Sequence, residues 1–202
     1  MKSLYIDLAS HNACMACIDD KVVSYEQASN RLSDDELIPL LNRTLNSAGW
    51  SLPDLTHIVC VIGPGGFTSL RVAVTFANVL ANQLGIPSAG VHLSDVYRER
   101  SGKRKVESGK SMEDVFWVHS TKKDQLFIRG GQWEDPTLVT LDEIQNSKFK
   151  IQYFCGELIP EHKEVIGGKE ASLAPLIDLL PQIVSDAQYS TEILHPWYGR
   201  GW

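Results

Sequence analysis

Two features of the chain have residue types and spacing suited to chemistry. One is Asp7, at the end of an apolar run; the other is Gly63-Pro64-Gly65-Gly66-Phe67-Thr68-Ser69-Leu70-Arg71. An aspartate at the mouth of a sheet can place a nucleotide's metal. A glycine-rich turn that opens a helix presents free backbone N–H groups to an anion. Asp7, Gly63, Gly65, Gly66 and Thr68 are therefore the candidate nucleotide or phosphate loop. The loop lacks the lysine of the G-x-x-x-x-G-K-[ST] pattern and does not complete G-x-G-x-x-G, so taken alone it reads as a structural turn ahead of a working phosphate site. Other constellations come up short. His11, His57, His92, His119, His162 and His195 include no pair spaced to hold a metal from one helix. No G-x-S-x-G elbow is present. Cys14 and Cys17 form a C-x-x-C, but in a strand their odd separation sends the side chains to opposite faces, which favours buried structural thiols.

The elements that must position these residues can be read from pattern. Residues 57–62 are apolar and β-branched, as in a buried strand. Residues 68–84 read as a helix, closed by Gly85 with Pro87 beyond it. Upstream, residues 4–8, 13–18 and 22–25 read as strands joined by short turns, the start of a mixed sheet. Ser33-Asp34-Asp35-Glu36 has the form of a capping box for a helix with Leu37, Leu40, Leu41, Leu45 and Ala48 on one face. Pro39 is expected to bend that helix, and Gly49 to end it. The helix after the loop is apolar on two sides. Leu70, Ala73, Val74, Ala77, Ala81 and Leu84 make one stripe, and Val72, Phe76 and Val79 another. One side packs on its own sheet; the other needs cover from the preceding helix or from a second molecule.

Residues 86–91 read as the next strand and 93–100 as a short helix. The chain is then charged and poor in apolar residues as far as Glu113, so residues 101–110 are expected to be a solvated, mobile linker. This divides the chain into an N-terminal lobe over 1–100 and a smaller, divergent C-terminal lobe over 101–202. In the second lobe, 115–119, 125–129 and 151–155 read as strands, and 173–187 as a helix bent by Pro181. The order of elements in the first lobe is that of the actin-like and sugar-kinase (ribonuclease H-like) fold: α/β, with two lobes of mixed sheets flanked by helices.

A length of 202 residues with 43% hydrophobic content can bury a sizeable core. The net charge of -6 argues against a general binder of nucleic-acid phosphates. The first seven residues reach an aspartate too soon for a signal peptide, and no apolar run approaches membrane-spanning length. The expectation is a cytoplasmic protein without membrane contact.

The sequence GPGGFTSLR resembles the GPGSFTGLR-type signature of the TsaB (YeaZ) family, bacterial proteins of transfer-RNA threonylcarbamoyladenosine synthesis. Ser3-Leu4-Tyr5-Ile6-Asp7 resembles that family's opening strand. Asp35-Glu36-Leu37-Ile38-Pro39-Leu40-Leu41 resembles its proline-containing helix, and Pro196-Trp197-Tyr198-Gly199-Arg200 its closing Pro-x-Tyr-x-Arg. The likeness is close to about Val91 and resumes at the tail. It implies the actin-like fold and a non-catalytic subunit that binds and activates a TsaD-type transferase. It also implies a TsaE-type ATPase as a further partner, transfer RNA reached only through the complex, and no cofactor beyond ATP on partner subunits. The family packs the two helices flanking the loop against a partner's matching pair. That implies an interface of Leu37, Leu40, Leu41, Leu45, Leu70, Arg71, Val74, Thr75 and Asn78, and a homodimer when the protein is alone.

The chain also departs from the family. Leu8 follows Asp7 where the family more often has threonine, and His119-Ser120-Thr121 stand in place of its Asp-Ala-Arg. The paired-histidine metal motif of TsaD is absent. Two alternatives remain. One is a small ATP-dependent kinase or ATPase of the same fold using Asp7 and the loop; the other is a homodimeric binding module with an unrelated partner.

Overall fold

Every residue of β1 (Ser3–Asp7) and β2 (Cys14–Ile18) is buried, as in strands covered on both faces. The computed structural model describes residues 1–28, 35–102, 115–147 and 150–199. They fall into two compact units, Met1–Leu93 with Leu176–Trp197, and Ser94–Pro175 with the residues that follow Trp197.

In the first unit β2 runs antiparallel to β1, and β3 (Val22–Gln27) antiparallel to β2. On the other side β4 (His57–Gly63) pairs parallel with β1, and β5 (Ser88–His92) parallel with β4. The sheet order is β3-β2-β1-β4-β5. One face, with Leu4, Ile6, Met15, Cys17, Ile58 and Cys60, forms a single core with α1 (Leu37–Ala48) and α2 (Phe67–Leu84). Against β1 and β2 lies α6 (Leu180–Asp186), and alternation leaves it the face of Tyr5 and Asp7. The two cysteines of the C-x-x-C take opposite faces, Cys14 opposite Asp7 and Cys17 opposite Leu4. All four cysteines are free and buried, and burial raises the Cys17, Cys60 and Cys155 thiols, the last to about 12. Such thiols are poor nucleophiles.

A division at residue 100 assigns the tail helix to the second lobe. The structure instead gives Leu176–Trp197 to the first unit. The reason is cover. A sheet buried on both faces needs an apolar lid on each side, and Leu180, Ile183 and Val184 of α6 are buried. The expected bend in α1 also has a simpler outcome. The helix starts at Leu37, so Pro39 stands in its first turn, where an N–H has no intrahelical carbonyl to lose. The capping residues Ser33 and Asp34, and residues 103–110 of the expected linker, lie outside the described residues, whereas Ser101 and Gly102 are the last residues of the helix Leu93–Gly102 and not linker.

The second unit has the order β10-β9-β6-β7-β8, from β6 (Val115–Lys122), β7 (Gln125–Gly130), β8 (Trp133–Thr140), β9 (Tyr153–Glu157) and β10 (Lys169–Glu170). The unit also holds nearly all of α3 (Leu93–Gly102), with α4 (Leu141–Gln145) and α5 (Pro160–Ile166). Phe116, Val118, Leu126, Ile128 and Phe154 form its core with Ile144 of α4 and Ile166 of α5. The opposite face of the sheet carries buried Trp117, Phe127 and Cys155, and among them a polar pair. His119 and Glu157 pair across β6 and β9 with Nδ1 and Oε2 3.5 Å apart, and Tyr97 donates to Glu157 Oε1 at 2.9 Å. Nearby, the Ile159 N–H donates to Ser120 Oγ at 3.0 Å. Ser120 Oγ lies 2.9 Å from His162 Nδ1, and His162 Nε2 lies 3.0 Å from the Lys123 carbonyl. A carbonyl only accepts, so the imidazole carries a proton on Nε2 and donates it there.

Four elements of this unit go beyond the sequence reading: β8, β10, α4 and α5. Among the described residues no helix is long and apolar enough to cross a membrane.

Candidate functional site

The glycine loop is filled by its own chain. Gly63 ends β4 at φ +134, and a Cβ there would collide with the carbonyl oxygen of Trp197. The tail is held at that point by the Trp197 N–H, which donates to the Ile62 carbonyl at 2.7 Å. A Cβ on Gly65 would lie 2.7 Å from the carbonyl oxygen of Ala9 and 2.9 Å from its Cβ. Close backbone approach on two sides therefore requires these glycines. Asp7 belongs to the same arrangement. It is almost fully buried, and its Oδ1 accepts from the N–H groups of Ala9 at 2.9 Å and Ser10 at 3.0 Å. The carboxylate shapes the turn on which Gly65 rests. Of the other loop candidates, Gly66 is the N-cap of α2, and Thr68 points into a groove on that helix.

This geometry carries a stability prediction. Asp7→Asn keeps an acceptor oxygen for both N–H groups, whereas Asp7→Ala leaves them without one. Chemical denaturation is expected to show a loss of about 1–3 kcal/mol for the alanine variant and clearly less for the asparagine variant. An alanine variant as stable as the wild type would remove this role from Asp7.

The partner-interface candidates separate into two groups. Leu40, Leu41, Leu45, Leu70 and Val74 are buried in the first unit's own core, Val74 with only 2% exposure, so no partner can reach them. This corrects the expectation for Leu41 and Val74. The physical reason is the size of their neighbours. Ala73 and Ala77 lie on the same stripe, and small residues let α2 seat closely on its sheet. Asn78 is also committed internally. Its Nδ2 donates to the Leu194 carbonyl at 2.9 Å, and its Oδ1 accepts from the Leu194 N–H at 2.9 Å, which ties the tail to α2.

Leu37, Arg71 and Thr75 do face outward. They line an open groove of about 500 Å³ together with Phe67, Val72, Phe76 and Val79. Phe67 is 58% exposed and Val79 53%, unusual for large apolar side chains. Residues 67, 71, 75 and 79 recur every fourth position, one row along the helix. The Arg71 guanidinium lies over the Phe67 ring, 5.5 Å from its centroid. The second apolar stripe in the sequence was the signal for Phe76 and Val79; Phe67, within the loop signature, was missed as a surface residue. Among the described residues no group of three His, Cys, Asp or Glu side chains is placed to hold a metal ion.

The profile of the family described as "TsaD: tRNA N6-adenosine threonylcarbamoyltransferase" matches residues 24–105. The TsaB proteins of tRNA threonylcarbamoyladenosine biosynthesis are similar over a longer stretch. That of Buchnera aphidicola subsp. Schizaphis graminum is 24% identical over 147 residues, 69% of each chain. That of Escherichia coli K12 is 24% identical over 166 residues, 79% of this chain and 70% of the relative. A solved structure from Pseudomonas aeruginosa, described as similar to peptidase YEAZ, superposes with a TM-score of 0.71 at 18% identity, covering 98% of this chain and 99% of the other. In sequence and in fold the chain is similar to the TsaB/YeaZ proteins. Its fold is accordingly the actin-like, ribonuclease H-like α/β fold, with two mixed sheets flanked by helices.

The departure from the TsaB/YeaZ pattern at 119–121 is structural as well as chemical. His119 lies beside Glu157, and Ser120 is held between Ile159 and His162. These side chains are spent on bonds inside the second unit.

Proposed function

We propose that this chain is a non-catalytic subunit in transfer-RNA threonylcarbamoyladenosine synthesis, and that it holds and activates a TsaD-type transferase through the outward face of α2. The observation that carries the reading is exposed Phe67 and Val79, with half-buried Val72 and Phe76 beside them, around an apolar groove on the helix that follows the signature loop. Soluble proteins seldom leave such a surface open without a partner. In the absence of the transferase the same face pairs with a second copy. Asp7 and the glycines are occupied in shaping the fold, which supports a subunit without its own phosphoryl chemistry; ATP enters through partner subunits, including a TsaE-type ATPase. The net charge of -6 fits a protein that meets transfer RNA only through its complex. A role in modifying transfer RNA fits an assembly in the cytoplasm.

Depletion of the chain in its own cell is the test. The threonylcarbamoyladenosine content of hydrolysed transfer RNA should fall severalfold and return on re-expression. Unchanged content would remove the proposed pathway.

A further inference from the structure

We propose that Arg71 selects the occupant of this face: an apolar helical surface bearing a carboxylate that meets the Arg71 guanidinium, in preference to a second copy of this chain. The inference rests on reading the outward face of α2 as a partner site. Among the described residues lining the groove Arg71 is the only ionisable one, in a chain whose net charge is -6. A helical side chain leans toward the N-terminus, and this one lies over Phe67, one turn back. Among the described residues Arg71 makes no ion pair.

Covering the stripe takes the guanidinium out of water. The aromatic ring offsets part of that cost. A charge buried without a counter-charge is nonetheless strongly unfavourable, whereas a carboxylate can meet the guanidinium fork with two parallel hydrogen bonds. A two-fold self-pair brings the same patch to itself, so it adds a second guanidinium and no carboxylate from the groove. Asp35 and Glu36, just ahead of Leu37, already have interactions within the chain. The face is therefore better matched to an acid-bearing partner than to its own copy.

The test uses Arg71→Met, which keeps the apolar stem and removes the charge, with Arg71→Lys beside it. Titration calorimetry against the TsaD-type transferase of the same cell measures partner affinity. Sedimentation equilibrium of the full chain alone measures self-association. The expected result is at least a tenfold loss of transferase affinity and at least a threefold tightening of self-association for Arg71→Met. Arg71→Lys should lie between it and the wild type. Wild-type binding that Arg71→Met leaves unchanged, or weakens only in step with self-association, would overturn the role of Arg71 while leaving the partner face intact. A wild type that binds no transferase would overturn the reading of the face itself, and this proposal with it.

Discussion

Val74→Arg is expected to unfold the first unit. Val74 is 2% exposed, on the stripe of α2 that meets the sheet, in the core that also holds Leu41, Ala73 and Ala77. The substitution places a guanidinium in an apolar core with no counter-charge and adds volume where none is free. A penalty on the order of 3–5 kcal/mol is a large share of the ~5–15 kcal/mol that holds a domain together. Thermal melting followed by circular dichroism should show Tm lowered by roughly 10 °C or more, or no cooperative transition. A variant that melts with the wild type would mean that α2 faces the other way, and that Val74 belongs to a surface.

The opposite outcome is expected on the other side of the same helix. Phe67→Asp combined with Val79→Asp changes both ends of the exposed row. Neither side chain supports the core, and an acidic residue at the first position of a helix suits its dipole. The double variant should melt within about 2 °C of the wild type, the shift for a change under ~0.5 kcal/mol. Its affinity for the transferase should fall about 100-fold or more, since exposed aromatic and apolar anchors commonly cost ~2 kcal/mol each when lost. Retained binding by this folded variant would exclude the outward face as the interface.

These two predictions turn on what sequence pattern can and cannot resolve. The strands of the first unit, the glycine turn and α2 were legible because apolar runs, Gly49 and Gly85 punctuate them clearly. Which stripe of α2 faces inward was not, because the helix is apolar on two sides and periodicity ranks neither. The deciding detail is steric, with Ala73 and Ala77 on the inward side and the bulkier Val72, Phe76 and Val79 left outside or half-buried. Asn78 looked like a surface residue because its partner, Leu194, is distant in sequence. In the second unit β8 was hidden by Glu134-Asp135-Pro136, a polar stretch with a proline. It is the edge strand of its sheet, where proline is tolerated. The short helix α4 did have a signature. Thr140 caps Glu143 N–H at 3.2 Å, and Glu143 Oε2 accepts from Thr140 N–H at 2.7 Å, a T-x-x-E box readable in the chain. The role of Asp7 as a turn acceptor needed coordinates, since a carboxylate at a strand end looks the same whether it serves metal or backbone.

Partner binding by α2 is tested most directly by titrating the purified chain into the TsaD-type transferase of the same cell, with Phe67→Asp/Val79→Asp in parallel. Saturable binding is expected for the wild type, and none at the same concentrations for the folded double variant. Absence of binding by the wild type, or equal binding by both proteins, would contradict it.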